Sequence, residues 1–208
     1  FKQKWALALM HQAPIAMINI ATTSTSPDAG APSEWVRRWS HLVPAGAAVL
    51  DVACGAGRHL RWFHALGHPV TGIDRDPSAV QAAARLGEAI AADIETSPWP
   101  LAGRPFGGVV VTNYLWRPLL SAIVQCVAPG GALLYETFAS GNETVGRPAR
   151  PDFLLQPGEL LSACAGLRVV AYEDGFLDDP ARFVQRIAAV RAPADGWAPA
   201  HPPRFALS

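Results

Sequence analysis

Asp51, Gly55 and Gly57 stand together in the run VLDVACGAGRHL. Two glycines after an apolar run let the backbone bend tightly and let a ligand lie against it with no Cβ in the way. A helix that starts there directs its free N–H groups at whatever occupies the turn. The spacing is not that of a dinucleotide fingerprint, which needs glycine where Leu60 stands. Asp51 places a carboxylate just ahead of the turn. That charge repels a pyrophosphate and welcomes an ammonium or sulfonium group. Asp74, in VTGID, follows the turn by about 20 residues, where an acid accepts hydrogen bonds from both ribose hydroxyls. Asp93, in AADIE, is suited to accept from an exocyclic amine of adenine, while the Ile94 backbone reads the ring edge. Ala53 and Cys54 in the turn, and Arg75 beside Asp74, join this candidate cofactor set.

A second group of polar residues follows two later apolar runs. In VTNYLWRP, Asn113 is expected to reach the polar end of a ligand, with Tyr114 and Trp116 as walls and Arg117 beside them. In YETFASGNETVGRPARP, Glu136, Asn142, Arg147 and Arg150 occupy a long polar connection. Such connections in compact domains are often lids or binding loops. Gly141 and Gly146 would let it move, and Pro148 and Pro151 would stiffen its distal half. An arginine there suits a carboxylate or other oxyanion.

The elements that carry these residues can be read from periodicity. EWVRRWSHLV predicts a helix with Trp35, Trp39 and Leu42 on one face. AAVLDVA, PVTGID, AIAAD and FGGVVVTNYL read as strands, the last buried on both faces as in a parallel sheet. RHLRWFHALG is a helix with Leu60, Phe63 and Leu66 at core spacing. DRDPSAVQAAARLG is another, with Asp76 as its cap and Pro77 as its first residue. RPLLSAIVQCV is a third crossover helix, and Pro129-Gly130-Gly131 turns the chain into the strand ALLYETF. PGELLSACAG predicts a helix, then LRVVAYEDGF and ARFVQRIAAVRA a closing hairpin. Five-fold β-α alternation of this kind implies an α/β fold with a doubly wound, mainly parallel sheet. Ligands of such sheets bind beyond the carboxyl ends of the strands, where all these residues fall.

Taken together, VLDVACGAGRHL, the acids Asp74 and Asp93 and the APGGALL turn resemble class I S-adenosylmethionine-dependent methyltransferases. Within the class, CGAGRHLRWFHALGHPVTGIDRD is similar to the small tellurite-resistance type group. The resemblance implies a Rossmann-like seven-stranded sheet ending in an antiparallel hairpin, and S-adenosyl-L-methionine as cofactor. It implies in-line methyl transfer without metal, onto a small molecule held by the N-terminal helix, the tip of the fourth strand and the segment after the fifth. It supplies no catalytic base. On this reading Asp51, Ala53, Cys54, Gly55, Gly57, Asp74, Arg75, Asp93, Ile94 and Asn113 hold the cofactor. Tyr114, Arg117, Glu136, Asn142 and Arg147 face the acceptor. Alternatives are an RNA or protein methyltransferase, a nicotinamide-dependent oxidoreductase and a non-catalytic cofactor-binding regulator.

Composition sets the boundaries of these readings. A chain of 208 residues with 16% charged residues and zero formal net charge suits one globular domain. No global positive field attracts nucleic acid. Three separated cysteines without a CxxC pattern fit a reducing, cytoplasmic setting rather than a disulfide framework or structural zinc. No run is apolar and long enough to cross a membrane. Residues 1–32 read as a helical or irregular extension, because His11, Gln12 and Pro14 interrupt an otherwise signal-like outline. Residues 33–192 form the domain and 193–208 an irregular tail.

Overall fold

The computed structural model describes residues 30–197 and 203–207. The expected extension over 1–32 therefore lies almost wholly outside the described residues. The elements are α1 (Glu34–Trp39), β1 (Val49–Val52), α2 (Arg58–Ala65), β2 (Val70–Asp74), α3 (Pro77–Ala83), β3 (Glu88–Ala91) and β4 (Phe106–Thr112). They continue with α4 (Leu120–Gln125), β5 (Val127–Phe138), α5 (Glu159–Ala163), β6 (Arg168–Asp178) and β7 (Ala181–Val190). The seven strands form one sheet in the order β3-β2-β1-β4-β5-β7-β6. All neighbours run parallel except β7, which is antiparallel to both β5 and β6. The order reverses at β1, so β1 and β4 flank the switch point where such sheets bind ligands.

Two apolar layers enclose the sheet. Trp35 and Trp39 of α1, Leu60 and Phe63 of α2 and Ala83 of α3 pack with Val110, Leu134 and Ala188 on one face. Ile123 of α4, Leu160 of α5 and Leu101 pack with Val109, Leu133, Tyr135 and Ile187 on the other. Every residue of β4 is buried, which its unbroken apolar run requires. α3 starts as its residues predict: Asp76 accepts from Ser78 N at 2.8 Å and Pro77 opens the helix. No helix among the described residues is long and apolar enough to cross a membrane.

Four local expectations are corrected. A helix follows β1, β2, β4 and β5 but not β3, so the alternation breaks in the segment IETSPWPLAGRP that joins β3 to β4. Proline and glycine there deny the segment a helix, and Leu101 anchors it to the core instead. Leu66 is 50% exposed, because α2 ends one residue earlier and Leu66 lies past its last turn. Pro129-Gly130-Gly131 does not precede β5 but lies within it. The register against β4 jumps from Phe106↔Val127 to Gly108↔Ala132, so the turn is absorbed as an irregularity in a longer strand. β4 stops at Thr112 rather than running on, since Asn113 takes a left-handed φ of 55°.

The strand registers align one polar row across the sheet. Thr112 of β4 pairs with Glu136 of β5, Glu136 with Arg186 of β7, and Arg186 with Glu173 of β6. On the same face, the next row toward the amino ends of β4 and β5 and the carboxyl end of β7 is Val110, Leu134 and Ala188, all buried. The apolar face therefore gives way within one pleat to a ladder of complementary polar groups.

Candidate active site

The turn after β1 is shaped by its own backbone and by Asp74. Gly55 and Gly57 have φ of 52° and 80°, and Ala53 adopts 54° despite its Cβ. Ala53 and Asn113 are the non-glycine residues in that region among the described residues, and they end the adjacent strands β1 and β4. Strain of this kind persists only where surrounding bonds hold it, and it gathers at binding sites. Here Cys54 N donates to Ile73 O at 3.0 Å and Gly57 N to Cys54 O at 3.0 Å. Gly55 N donates to Asp74 Oδ2 at 2.8 Å, while Asp76 N donates to Asp74 Oδ1 at 2.9 Å. Each oxygen keeps a second lone pair, so the anchored carboxylate can still receive two hydroxyls.

A cavity of about 150 Å³ opens beside this turn. Ala53, Asp74, Arg75, Ala92, Asp93, Ile94, Glu95 and Tyr114 line it. It brings together the carboxyl ends of β1, β2, β3 and β4. Asp93 Oδ1 accepts from Glu95 N at 3.1 Å. That N–H, then the Thr96 side chain, hold the Asp93 carboxyl below the usual carboxylate range, so it is an acceptor at neutral pH. The Tyr114 hydroxyl is buried without a hydrogen-bond partner, an orphan that a polar ligand atom in the cavity would satisfy. Open space above Gly55, the half-used Asp74 carboxylate and the orphan hydroxyl fit an adenosine-bearing cofactor.

Cys54 does not supply a nucleophile. Burial first, then the Asp51 and Asp74 carboxylates, push its thiol far above the ordinary range, and it stays protonated. Asp51 is almost wholly buried, and its Oδ2 lies 3.5 Å from His59 Nδ1, beyond good hydrogen-bonding distance. His59 Nε2 accepts from Ser33 N at 3.2 Å, which puts the ring proton on Nδ1, facing Asp51. Ser33 also caps α1 by accepting from Trp35 N at 3.1 Å, and its hydroxyl donates to Glu136 Oε1 at 3.0 Å. Glu136 Oε2 meets Arg186 Nη1 at 3.3 Å, and Arg186 Nε donates to Glu173 Oε2 at 2.6 Å. The start of α1, the first turn of α2 and the end of β5 are thus joined by one polar network. Ser33, His59, Arg182 and Arg186 in and beside it were not among the residues singled out from sequence. The alternation of ARFVQRIAAV, which puts Arg182 and Arg186 on one strand face, was the available signal.

The remaining expected site residues divide. Asn113 is exposed at the end of β4, its N donating to Glu136 O at 2.9 Å. Tyr114 lines the cavity beside the turn after β1 rather than the region around Glu136, and Trp116 packs toward the apolar layer of α4. Arg117 is occupied: it donates to Glu159 Oε1 at 2.7 Å, to Asp152 O at 2.8 Å and to Leu154 O at 2.8 Å. Asn142 is buried and ties the polar segment down, donating to Pro148 O at 2.9 Å and accepting from Phe183 N at 3.2 Å. Arg147 is exposed. Gly141 is pressed against Phe183, where a Cβ would come within 2.9 Å of the ring. The segment after β5 is therefore docked on β7 and on Arg117.

The Arg117–Glu159 contact predicts a pH effect. Burial alone would raise the Glu159 carboxyl, but the Arg117 guanidinium and Gln156 N–H outweigh it and hold the group below its ordinary range. A depressed carboxyl contributes stability that is complete above the unfolded value of about 4.3 and is lost as pH falls through the lower folded value. The wild type is expected to be more stable than Arg117→Met at neutral pH, with the gap closing in acid. Urea unfolding of both proteins across that range checks it, and a gap independent of pH would refute the assignment.

Residues 49–131 match the family model described as "Methyltransferase domain", which covers β1 through the first part of β5. The seven-stranded sheet with its antiparallel last strands is an α/β methyltransferase fold, and the matched segment together with the motif resemblance implies S-adenosyl-L-methionine as cofactor. TehB from Haemophilus influenzae superposes with a TM-score of 0.59 at 19% identity, over 73% of this chain and 60% of that one. This chain therefore spans less than two thirds of the Haemophilus protein. A TehB-like SAM-dependent methyltransferase from Corynebacterium glutamicum superposes with a TM-score of 0.56 at 19% identity, over 76% and 86%. An S-adenosylmethionine-dependent methyltransferase from Mesorhizobium loti gives 0.57 at 17% identity, over 74% and 95%. No curated protein matches the chain.

Proposed function

We propose that the protein transfers the methyl group of S-adenosyl-L-methionine to a small-molecule acceptor in a reducing, cytoplasmic setting. The observation that carries this reading is the cavity in which the turn after β1, Asp74 and Asp93 converge. Asp74 takes the ribose hydroxyls and Asp93 the adenine amine, with Ile94 and Tyr114 along the ring. Ala53, Gly55 and Gly57 let the cofactor lie close to the backbone, and Asp51 and Asn113 face its methionine end. Arg75 flanks the ribose. The bound cofactor supplies an activated methyl on a sulfonium, so the chain's task is to hold an acceptor atom in line with it. That task is one of proximity and orientation. Glu136, at the end of β5, and the neighbouring start of α1 border the acceptor region. Arg117 and Asn142 support the segment above it through the bonds described.

Zero net charge favours a small acceptor over RNA, whose phosphates demand a basic surface. The test combines binding with turnover. Calorimetry is expected to detect S-adenosylhomocysteine and not NADH, and methyl-labelled cofactor incubated with a metabolite extract should label one low-mass product. Binding of NADH in place of S-adenosylhomocysteine would sink the reading, and label found only in RNA or protein would sink its small-molecule part.

A further inference from the structure

We propose that Arg182 determines acceptor specificity by binding an anionic group, so that the acceptor is a small carboxylate or other oxyanion. This rests on the methyltransferase reading above. Arg182 stands near the start of β7, on the same strand face as Arg186 and two residues beyond Val184, the partner of Phe138. It is therefore nearer the carboxyl edge of the parallel strands than Glu136, on the face that carries Asp51 and Thr112.

Its donors are unspent. The Arg182 Nε is buried without a partner, and its guanidinium makes no hydrogen bond among the described residues. The nearest carboxylate oxygen, Glu136 Oε1, is 3.7 Å away and already accepts from the Ser33 hydroxyl. Arg186 differs at each point. It bonds Glu136 and Glu173 and stacks over Trp35, 4.9 Å from the ring centroid. Arg38 also lies by Glu173, at 3.6 Å. Three guanidinium groups thus face two carboxylates; Arg186 bonds both, Arg38 donates instead to Leu207 O at 3.1 Å, and Arg182 makes no hydrogen bond among the described residues.

A guanidinium with one quarter or less of its side chain exposed and no hydrogen bonds is a costly arrangement for structure alone. It becomes favourable when a planar anion fills the fork. The position is held in place. Asn142 accepts from the N–H of Phe183, next in the chain, and Ala139 N donates to Phe183 O at 2.9 Å. Side-chain reach from this point covers the region bounded by Ser33, Glu136 and the end of β4. The Arg186 guanidinium, 3.3 Å from Glu136 Oε2, offsets the Glu136 charge and lessens its repulsion of an anion there.

The test uses acetate as the anionic probe and acetamide as its neutral counterpart, at constant ionic strength, with and without saturating S-adenosylhomocysteine. Arginine Nε–H resonances are followed in the wild type, Arg182→Gln and Arg182→Lys. Saturable shifts with acetate but not acetamide are expected, with affinity about tenfold weaker or worse in Arg182→Gln and partly kept in Arg182→Lys, which retains charge but not the fork. S-adenosylhomocysteine affinity in each variant reports that it is folded. Acetate binding that is absent in the wild type, or equal in wild type and Arg182→Gln, overturns the inference and leaves the methyltransferase reading standing. Failure of S-adenosylhomocysteine to bind the wild type overturns both.

Discussion

Asp74→Ala is expected to weaken S-adenosylhomocysteine binding by about 1–3 kcal/mol, roughly five- to 150-fold in Kd. Two losses combine. The ribose hydroxyls lose a charged acceptor, and Gly55 N loses the partner that fixes the turn after β1. That turn carries Ala53 in a left-handed conformation, which the backbone keeps only while its neighbours hold it. Asp74→Asn keeps one carbonyl acceptor and the shape of the side chain, so its loss should be smaller. Calorimetry on the wild type and both variants decides the matter. Equal affinities throughout would remove Asp74 from the cofactor site, whatever its place in the cavity wall.

Glu136→Ala is expected to cost about 3 kcal/mol of stability, toward the lower end for removing one partner of a buried ion pair. The Glu136 side chain is 3% exposed, against 16% for Arg186 and 24% for Arg182, so both cations retain some contact with water and the penalty is moderated. The Ser33 hydroxyl loses its acceptor as well, which loosens the entry to α1. Replacing Glu136 by Leu together with Arg186 by Met should recover much of the loss, since apolar pairs of similar volume replace buried ion pairs at little cost. Urea unfolding measures each variant. A loss below about 1 kcal/mol for Glu136→Ala would mean that solvent already screens the row.

The sequence made the parallel core and its binding edge readable. VLDVACGAGRHL, VTGID and FGGVVVT carry their own signals, because glycine, an acid at a strand tip and an unbroken apolar run each have few physical uses. Asp74 and Asp93 line one cavity. What escaped was set by contacts distant in the chain. Nothing near Arg117 announces that Glu159 and the carbonyls of residues 152 and 154 will occupy it. Nothing near Asn142 announces Phe183. Arg182 and Arg186 sit in a strand read only as half of a hairpin, so their approach to Glu136 depended on which strand β7 would join. Pro129-Gly130-Gly131 reads in the sequence as a turn ahead of the fifth strand. The strand survives it because Gly130 N donates to Arg191 O at 3.1 Å and Arg191 N to Gly131 O at 2.9 Å.

The row Thr112–Glu136–Arg186–Glu173 acts as a floor beneath the proposed acceptor region. Below it, Val110, Leu134 and Ala188 are close-packed, and altered side-chain volumes there would be felt as strain or void. Above it, Asn113, Phe138 and Arg182 border open edge and can be exchanged without reopening the interior. Libraries confined to that upper tier would vary recognition while the ladder insulates the fold from the changes.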